Sequence, residues 1–292
     1  MNTCLVCNSH KIIKHLDSKD FCVSQENFTI NKCQECGFAY TVNAPDAQNI
    51  GKYYEHADYV SHTDTKEGLF FKLYHKVRNY MLGQKLKYIT KQNKISTLLD
   101  IGAGTGYFVN YANNNGVKAT GFEPDATARN QAQKNFNLQL KDNLASIVAQ
   151  NKFDAISMWH VLEHVHELDA YFEDFRKLLN NNGTLAIAVP NYTSYDAKMY
   201  QKYCPAYDLP KHLWHFSPNS MKELAKQHGF VHQKSYAMPF DPFYIALLSE
   251  KNKQSNFLGK FRAFIIGIAS FTEGFFDAES ASSVVYIFKK SN

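Results

Sequence analysis

Thr97-Leu98-Leu99-Asp100-Ile101-Gly102-Ala103-Gly104-Thr105-Gly106 is the stretch on which the fold turns. Its first five residues predict a short buried strand, and a helical pattern follows over residues 107–114. Between them three glycines stand at every second position. They let the chain bend sharply and bring bare backbone and helix N-terminal N–H groups against a ligand. A dinucleotide-binding turn would read G-x-G-x-x-G. Here the spacing is G-x-G-x-G, with Asp100 two residues before the first glycine. An acid in that place repels a pyrophosphate and favours a ligand that carries an ammonium and a sulfonium. Asp100 has a second reading as a cap for the following helix, although a buried strand-end carboxylate is costly without a partner.

Outward from this turn, strands and helices alternate. Strands are predicted at residues 97–101, 118–122, 138–140, 153–158, 184–189, 230–236 and 283–289, with helices at 107–114, 125–135, 169–179 and 220–228. Repeated βα units of this length predict an α/β protein with a doubly wound, mostly parallel seven-stranded sheet of Rossmann-like type. The core covers residues 93–240, and residues 281–292 return as its last strand. Residues 46–92 read as a helical linker or lid, because Tyr53, Tyr54, Tyr59, Phe70, Phe71, Tyr74 and Val77 recur near helical spacing. Residues 241–280 read as a helical insert.

The first 45 residues form a unit of their own. Cys4-Leu-Val-Cys7 and Cys33-Gln-Glu-Cys36-Gly37 each supply two thiolates from one tight turn, and four thiolates close a tetrahedral Zn²⁺ site of the structural kind. A redox dithiol or an iron–sulfur site is the weaker reading. Cys22 is left as a spare thiol. A ribbon this small cannot bury enough core to fold alone, so the metal supplies its folding energy.

Composition bounds the rest. A hydrophobic content of 45% and a charged content of 20% are those of an ordinary globular protein. The net charge of +5 is mild and no block of like charges occurs, so a nucleic-acid partner is not required. The N-terminus lacks the basic start and apolar stretch of a secretory signal, which predicts a cytoplasmic protein. The apolar run at residues 257–271 is broken by Lys260 and Arg262, too soon for a membrane span, and predicts a packed amphipathic or buried helix.

Leu98 to Gly106 resembles the first motif of class I S-adenosylmethionine-dependent methyltransferases, and Gly121-Phe122-Glu123-Pro124-Asp125 follows about twenty residues later, as the family's second acidic position does. The resemblance spans about residues 95–240. It implies S-adenosylmethionine as cofactor, with Asp100 and the backbone of Gly102, Gly104 and Gly106 at its amine end and Glu123 on the ribose hydroxyls. Asp142 and Asn143 match the adenine contacts. Trp159 and His160 follow the fourth strand, where the methionine end lies; His160 has packing at a helix start as its second reading. Glu163 and His164 read as residues that orient local backbone. Leu162-Glu163-His164 occurs in many subgroups, including ubiquinone-biosynthesis-like O-methyltransferases, and a four-cysteine ribbon before such a domain resembles certain deoxysugar C-methyltransferases.

The acceptor side is read from Asp208-Leu-Pro-Lys-His212-Leu-Trp-His215-Phe-Ser217-Pro. It falls at the carboxyl edge of the sheet, where open α/β folds bind ligands. Histidine titrates near working pH, so His212 or His215 is the candidate to take a proton from an acceptor hydroxyl, with loop-shaping hydrogen bonds as the plainer role. A second metal held by Asp208, His212 and His215 is the weaker alternative. These readings point to methyl transfer, on oxygen or carbon, to a small-molecule acceptor that is sugar-, quinone- or lipid-like. The rival readings are an RNA or protein methyltransferase that uses the ribbon for recognition, and a noncatalytic cofactor-binding module.

Overall fold

The computed structural model describes residues 3–54, 69–91, 93–148 and 152–291. Tyr59 lies outside them, as do the side chains of Phe70, Phe71 and Tyr74, so the expected aromatic lid is described only in part. Ile12–Lys19 (β1), Asn27–Cys33 (β2) and Ala39–Thr41 (β3) lead to the long helix Leu69–Thr90 (α1) and then to Thr97–Ile101 (β4). Tyr107–Asn114 (α2), Lys118–Phe122 (β5), Ala126–Phe136 (α3), Leu144–Val148 (α4), Phe153–Trp159 (β6), Leu168–Leu178 (α5) and Leu179–Pro190 (β7) continue the alternation. Tyr195–Tyr200 (α6), Trp214–His215 (β8), Pro218–Gln227 (α7), Phe230–Ala237 (β9), Asp241–Asn252 (α8), Phe257–Phe276 (α9) and Ser283–Lys290 (β10) complete the chain.

The main sheet has the order β5-β4-β6-β7-β10-β9. Its first four strands are parallel, and β10 runs antiparallel to both β7 and β9. It therefore has six strands among the described residues rather than the seven expected. The missing one is residues 138–140, which make only a single bridge, Phe122 to Lys141. Lys141 donates to Gly121 O at 2.8 Å and accepts from Glu123 N at 2.8 Å, after which Asn143 opens α4. Three alternating residues at a sheet edge cannot extend a ladder against the next helix start.

Alternation along the central strands builds two apolar layers. Leu99, Ile101, Ile156, Met158, Leu185 and Ile187 face α5 and α7, while Leu98, Ala155, Ala186, Val285 and Ile287 face α1 and α2. The first layer also takes in Cys4, Val6, Cys33, Cys36, Phe38 and Tyr40, so the cysteine unit is packed into the core of the sheet domain. A second sheet, β1-β2-β3-β8, makes the same join through the backbone, because β8 comes from the loop before α7.

Of the two expectations for the apolar run, a packed amphipathic or a buried helix, α9 fits the first, with one face packed and the other exposed. In α9 the residues buried are small, Gly259, Ala263, Gly267, Ser270 and Gly274 together with Ile266. Gly267 lies against Phe243 of α8, where an added Cβ would come within 2.8 Å of the ring. That close approach turns the large side chains, Phe257, Phe261, Phe264 and Phe275, outward. Among the described residues no helix is long and apolar enough to cross a membrane.

Candidate active site

The glycine turn lies at the carboxyl ends of β4, β5 and β6. Gly102 N and Ala103 N both donate to Phe122 O at 2.9 Å, which folds the turn back over β5. All three glycines have positive φ, +72°, +53° and +80° at Gly102, Gly104 and Gly106, a region that only glycine enters without strain. They are not equivalent. A Cβ on Gly102 would stand 2.4 Å from Val161 Cγ2, and one on Gly106 3.0 Å from Ala132 Cβ, whereas one on Gly104 would meet nothing within 4 Å. Gly104 is thus the point where bare backbone faces open space.

Two carboxylates flank the turn. Asp100 is 2% exposed and accepts from Ser157 Oγ at 2.6 Å. Burial pushes its pKa up to about 7, against the pull of the Ser157 hydroxyl and the Lys85 ammonium. Glu123 is also buried; its Oε2 accepts from Gly104 N at 2.7 Å and its Oε1 from Asp125 N at 3.0 Å. The acid expected at the second strand end is therefore tied directly to the middle glycine. Asp142 and Asn143 follow the Lys141 bridge beside Glu123. Asp142 is largely exposed, with Arg129 Nη2 4.0 Å away, and Asn143 Oδ1 accepts from Ala145 N at 2.9 Å.

Trp159 and His160 end β6. The Trp159 indole packs edge-on against Phe108, with Lys85 Nζ 4.6 Å from its ring centre. Lys85, on α1, was not legible from the sequence. His160 adopts a left-handed backbone, φ +57°, which is rare for a residue with a Cβ and places its side chain over the sheet edge. Its ring lies between Glu163 Oε1 and Asp241 Oδ2, 3.5 Å from each. Burial opposes protonation, but these two carboxylates outweigh it and raise the pKa to about 9. Asp241, the first residue of α8, was also missed, since nothing local ties an insert residue to the end of β6.

Beside His160 opens a cavity of about 990 Å³, lined among others by Glu163, Tyr207, Asp208, Lys211, His212, Asp241 and Tyr244. The glycine turn is not part of its wall; His160 is the expected cofactor residue that borders it. Of the two loop histidines only His212 lines it. His212 Nδ1 lies 2.9 Å from Ala206 O, the geometry of a donated bond that leaves Nε2 as a lone pair. His215 is on β8, 2% exposed, with Nε2 3.1 Å from Thr41 Oγ1, and burial holds its pKa well below the usual range. Of the pair expected to offer an acceptor base, His212 or His215, strand pairing with Ala39 directs His215 into the core and away from the cavity wall. The alternative metal set fails for the same reason, and Asp208 pairs instead with Lys211 at 3.0 Å.

At the other end of the loop, the sulfurs of Cys4, Cys7, Cys33 and Cys36 lie within 4.8 Å of one another. Cys4 is 3.5 Å from Cys36 and Cys7 3.5 Å from Cys33. Burial raises the Cys4 pKa to about 11 and raises Cys36 too, whereas at Cys33 the N–H groups of Cys36 and Glu35 overcome burial and lower it. Phe38 N donates to Cys36 Sγ at 3.4 Å. Four convergent sulfurs with amide support are the donor set of a tetrahedral thiolate-bound ion.

Set beside known proteins, residues 73–234, more than half of the chain, match a family described as a methyltransferase domain. A relative, the ubiquinone biosynthesis O-methyltransferase of Pelagibacter ubique (strain HTCC1062), is 27% identical over 195 residues that cover 61% of this chain and 79% of the relative. Among solved structures, StiE O-MT residues 961–1257 superimposes with a TM-score of 0.51 at 12% identity, over 77% of this chain and 78% of that one. A SAM-dependent methyltransferase from Archaeoglobus fulgidus gives a TM-score of 0.48 at 17% identity, over 76% of this chain and all (100%) of that one. At such identities the StiE likeness speaks for the fold alone.

Proposed function

The chain belongs to the methyltransferase-domain family and is an S-adenosylmethionine-dependent methyltransferase, and we propose that it transfers the methyl group to a small-molecule acceptor held in the cavity beside His160. One observation carries this reading: a cavity of about 990 Å³, with aromatic and titratable walls, borders the sheet edge where the cofactor's methionine end belongs. That volume is at the upper end of the range for pockets that enclose drug-sized molecules. The named activity of the Pelagibacter relative, an O-methyltransferase of ubiquinone biosynthesis, supports an acceptor of this size class.

The cofactor, when bound, supplies an activated methyl on a sulfonium, so the protein's task is alignment and exclusion of water. In this reading Asp100 pairs with the cofactor's amine and Glu123 accepts from the ribose hydroxyls. Asp142 and Asn143 border the adenine, and Gly104 offers its backbone. Trp159 and His160 close the methionine end. His212, rather than His215, is the histidine that meets the acceptor. We assign a structural Zn²⁺ to Cys4, Cys7, Cys33 and Cys36. Its place is to brace the acceptor loop, since Thr41 of β3 donates from Oγ1 to His212 O at 2.7 Å and Gly37 O accepts from Tyr192 OH at 2.5 Å.

The test is incubation of the full-length protein with methyl-labelled S-adenosylmethionine and separate metabolite, RNA and protein fractions of cell extract. Label in the metabolite fraction is expected. Label confined to RNA or protein would overturn the acceptor class.

A further inference from the structure

We propose that Glu163, His164 and His212 form a divalent-cation site on the wall of the acceptor cavity, with an open position that an oxygen of the acceptor fills. One ligand atom from each of the three lies within 4.8 Å of the other two. Glu163 is 1% exposed, and neither of its carboxylate oxygens has a hydrogen-bond partner among the described residues. His160 Nδ1 stands 3.5 Å from Oε1, too far for the short contact that usually accompanies a buried charge. His160 offsets part of that buried charge, but both carboxylate oxygens are left without a hydrogen bond and open to a cation.

The two imidazoles are prepared from behind. His164 Nδ1 lies 3.0 Å from Lys211 O and His212 Nδ1 lies 2.9 Å from Ala206 O. A carbonyl oxygen only accepts, so each ring donates from Nδ1, which in His164 also has the Tyr54 hydroxyl 3.2 Å away, and Nε2 is the nitrogen left to face an ion. This is the tautomer that backbone carbonyls impose on metal-bound histidines. The rings meet edge to face, with centres 4.7 Å apart. Two neutral imidazoles and one carboxylate suit Zn²⁺, Fe²⁺ or Mn²⁺ and leave coordination positions free for a further ligand. Glu163 and His212 both line the cavity, so a free position can face its contents. The part assigned to the acceptor oxygen rests on reading that cavity as the acceptor site; the cation site itself does not. It also gives His212 the part of a ligand rather than that of a free base.

The experiment uses full-length protein with its four cysteines already loaded with zinc. Mn²⁺, which thiolates attract weakly, is titrated in and the free ion followed by electron paramagnetic resonance. One Mn²⁺ per chain is expected, and Glu163→Gln and His212→Gln should each weaken it more than about tenfold. Glu163→Gln keeps side-chain shape and His212→Gln keeps a polar side chain of similar reach, and unchanged calorimetric binding of S-adenosylmethionine reports that the variants fold. Absence of both Mn²⁺ binding and a second equivalent of Zn²⁺ in the parent protein overturns the site, as does equal Mn²⁺ affinity in the variants. Mn²⁺ binding that the variants lose, with no label entering any metabolite, keeps the cation site and overturns the acceptor reading. Full transfer to a metabolite by Glu163→Gln without added Mn²⁺ keeps the acceptor reading and overturns the part given to the cation in holding the acceptor oxygen.

Discussion

The turn at residues 100–106 and the loop at residues 208–217 meet at the same edge of one sheet but are held by different kinds of contact. The turn is held by neighbours in its own βα units: Phe122 O takes two of its N–H groups and Glu123 takes a third. The loop is held by residues far away in sequence. Thr41 N donates to Leu213 O at 2.9 Å, Leu213 N to Glu163 O at 2.8 Å, and Trp214 Nε1 to Val165 O at 2.6 Å. The turn, proposed here as the cofactor side, is thus a local device within the sheet domain, whereas the loop, proposed as the acceptor side, takes its shape from residues distant in sequence, those of the cysteine ribbon among them. The difference implies that the two sides fail separately.

Stripping zinc with a chelator gives the largest expected effect. Small zinc modules draw roughly 10–16 kcal/mol from the metal, so the ribbon unfolds and methyl transfer falls by more than about 100-fold. Cofactor affinity should stay within about threefold. Equal collapse of cofactor binding, read by calorimetry, would break the separation. Gly102→Ala attacks the other side. Its positive φ and the 2.4 Å approach to Val161 together cost more than about 2 kcal/mol, visible as a lowered Tm along with lost cofactor binding. Gly104→Ala should lower Tm less but still weaken the cofactor, because its methyl would point into open space that the ligand needs.

On the proposed cofactor pose Glu123→Ala removes two charge-assisted hydrogen bonds to the ribose, each worth about 1.5–3 kcal/mol, so affinity should drop at least about 100-fold. Unchanged affinity would remove Glu123 from the cofactor site. A pH series tests Asp100. Its folded pKa of about 7 lies above the ordinary 3.8, so the folded protein holds a proton that the unfolded chain releases. The stability this group contributes to the free enzyme is therefore full below the unfolded value, falls between about pH 4 and 7, and levels off above. Cofactor affinity moves the opposite way, because the amine pairs with the ionised form. It should fall roughly tenfold for each pH unit below 7 and be flat above, checked by calorimetry from pH 6 to 8. The smallest change is Thr41→Val, which deletes the bonds to His212 O and the His215 ring. A cost of about 1–2 kcal/mol is expected, with a raised KM for the acceptor and an unaltered KM for the cofactor.

The same division explains what could be read in advance. Asp100, the three glycines and Glu123 were legible because strand, turn and helix signals lie within a few residues of each, and the chain needs glycine wherever φ is positive. The paired cysteines were legible because two C-x-x-C turns announce a four-sulfur cluster by spacing alone. Strand count failed at residues 138–140, where a pattern of three residues does not say whether an edge will pair. The two histidines of the loop looked equivalent in sequence. Pairing of Trp214–His215 with β3 sent one into the core and left the other on the cavity wall.

From its residues alone this chain declares a sheet that alternates with helices, a carboxylate-and-glycine turn for a cationic cofactor and a sulfur cluster near one end, since each depends on contacts within a short span of chain. The cavity beside His160, the approach of Asp241 to His160 and the convergence of Glu163 and His164 on His212 were decided by the tertiary structure. They join residues between one and more than eighty positions apart, through docking of the ribbon and the insert. Side-chain direction at such junctions is set by strand register and packing, which local propensity does not carry.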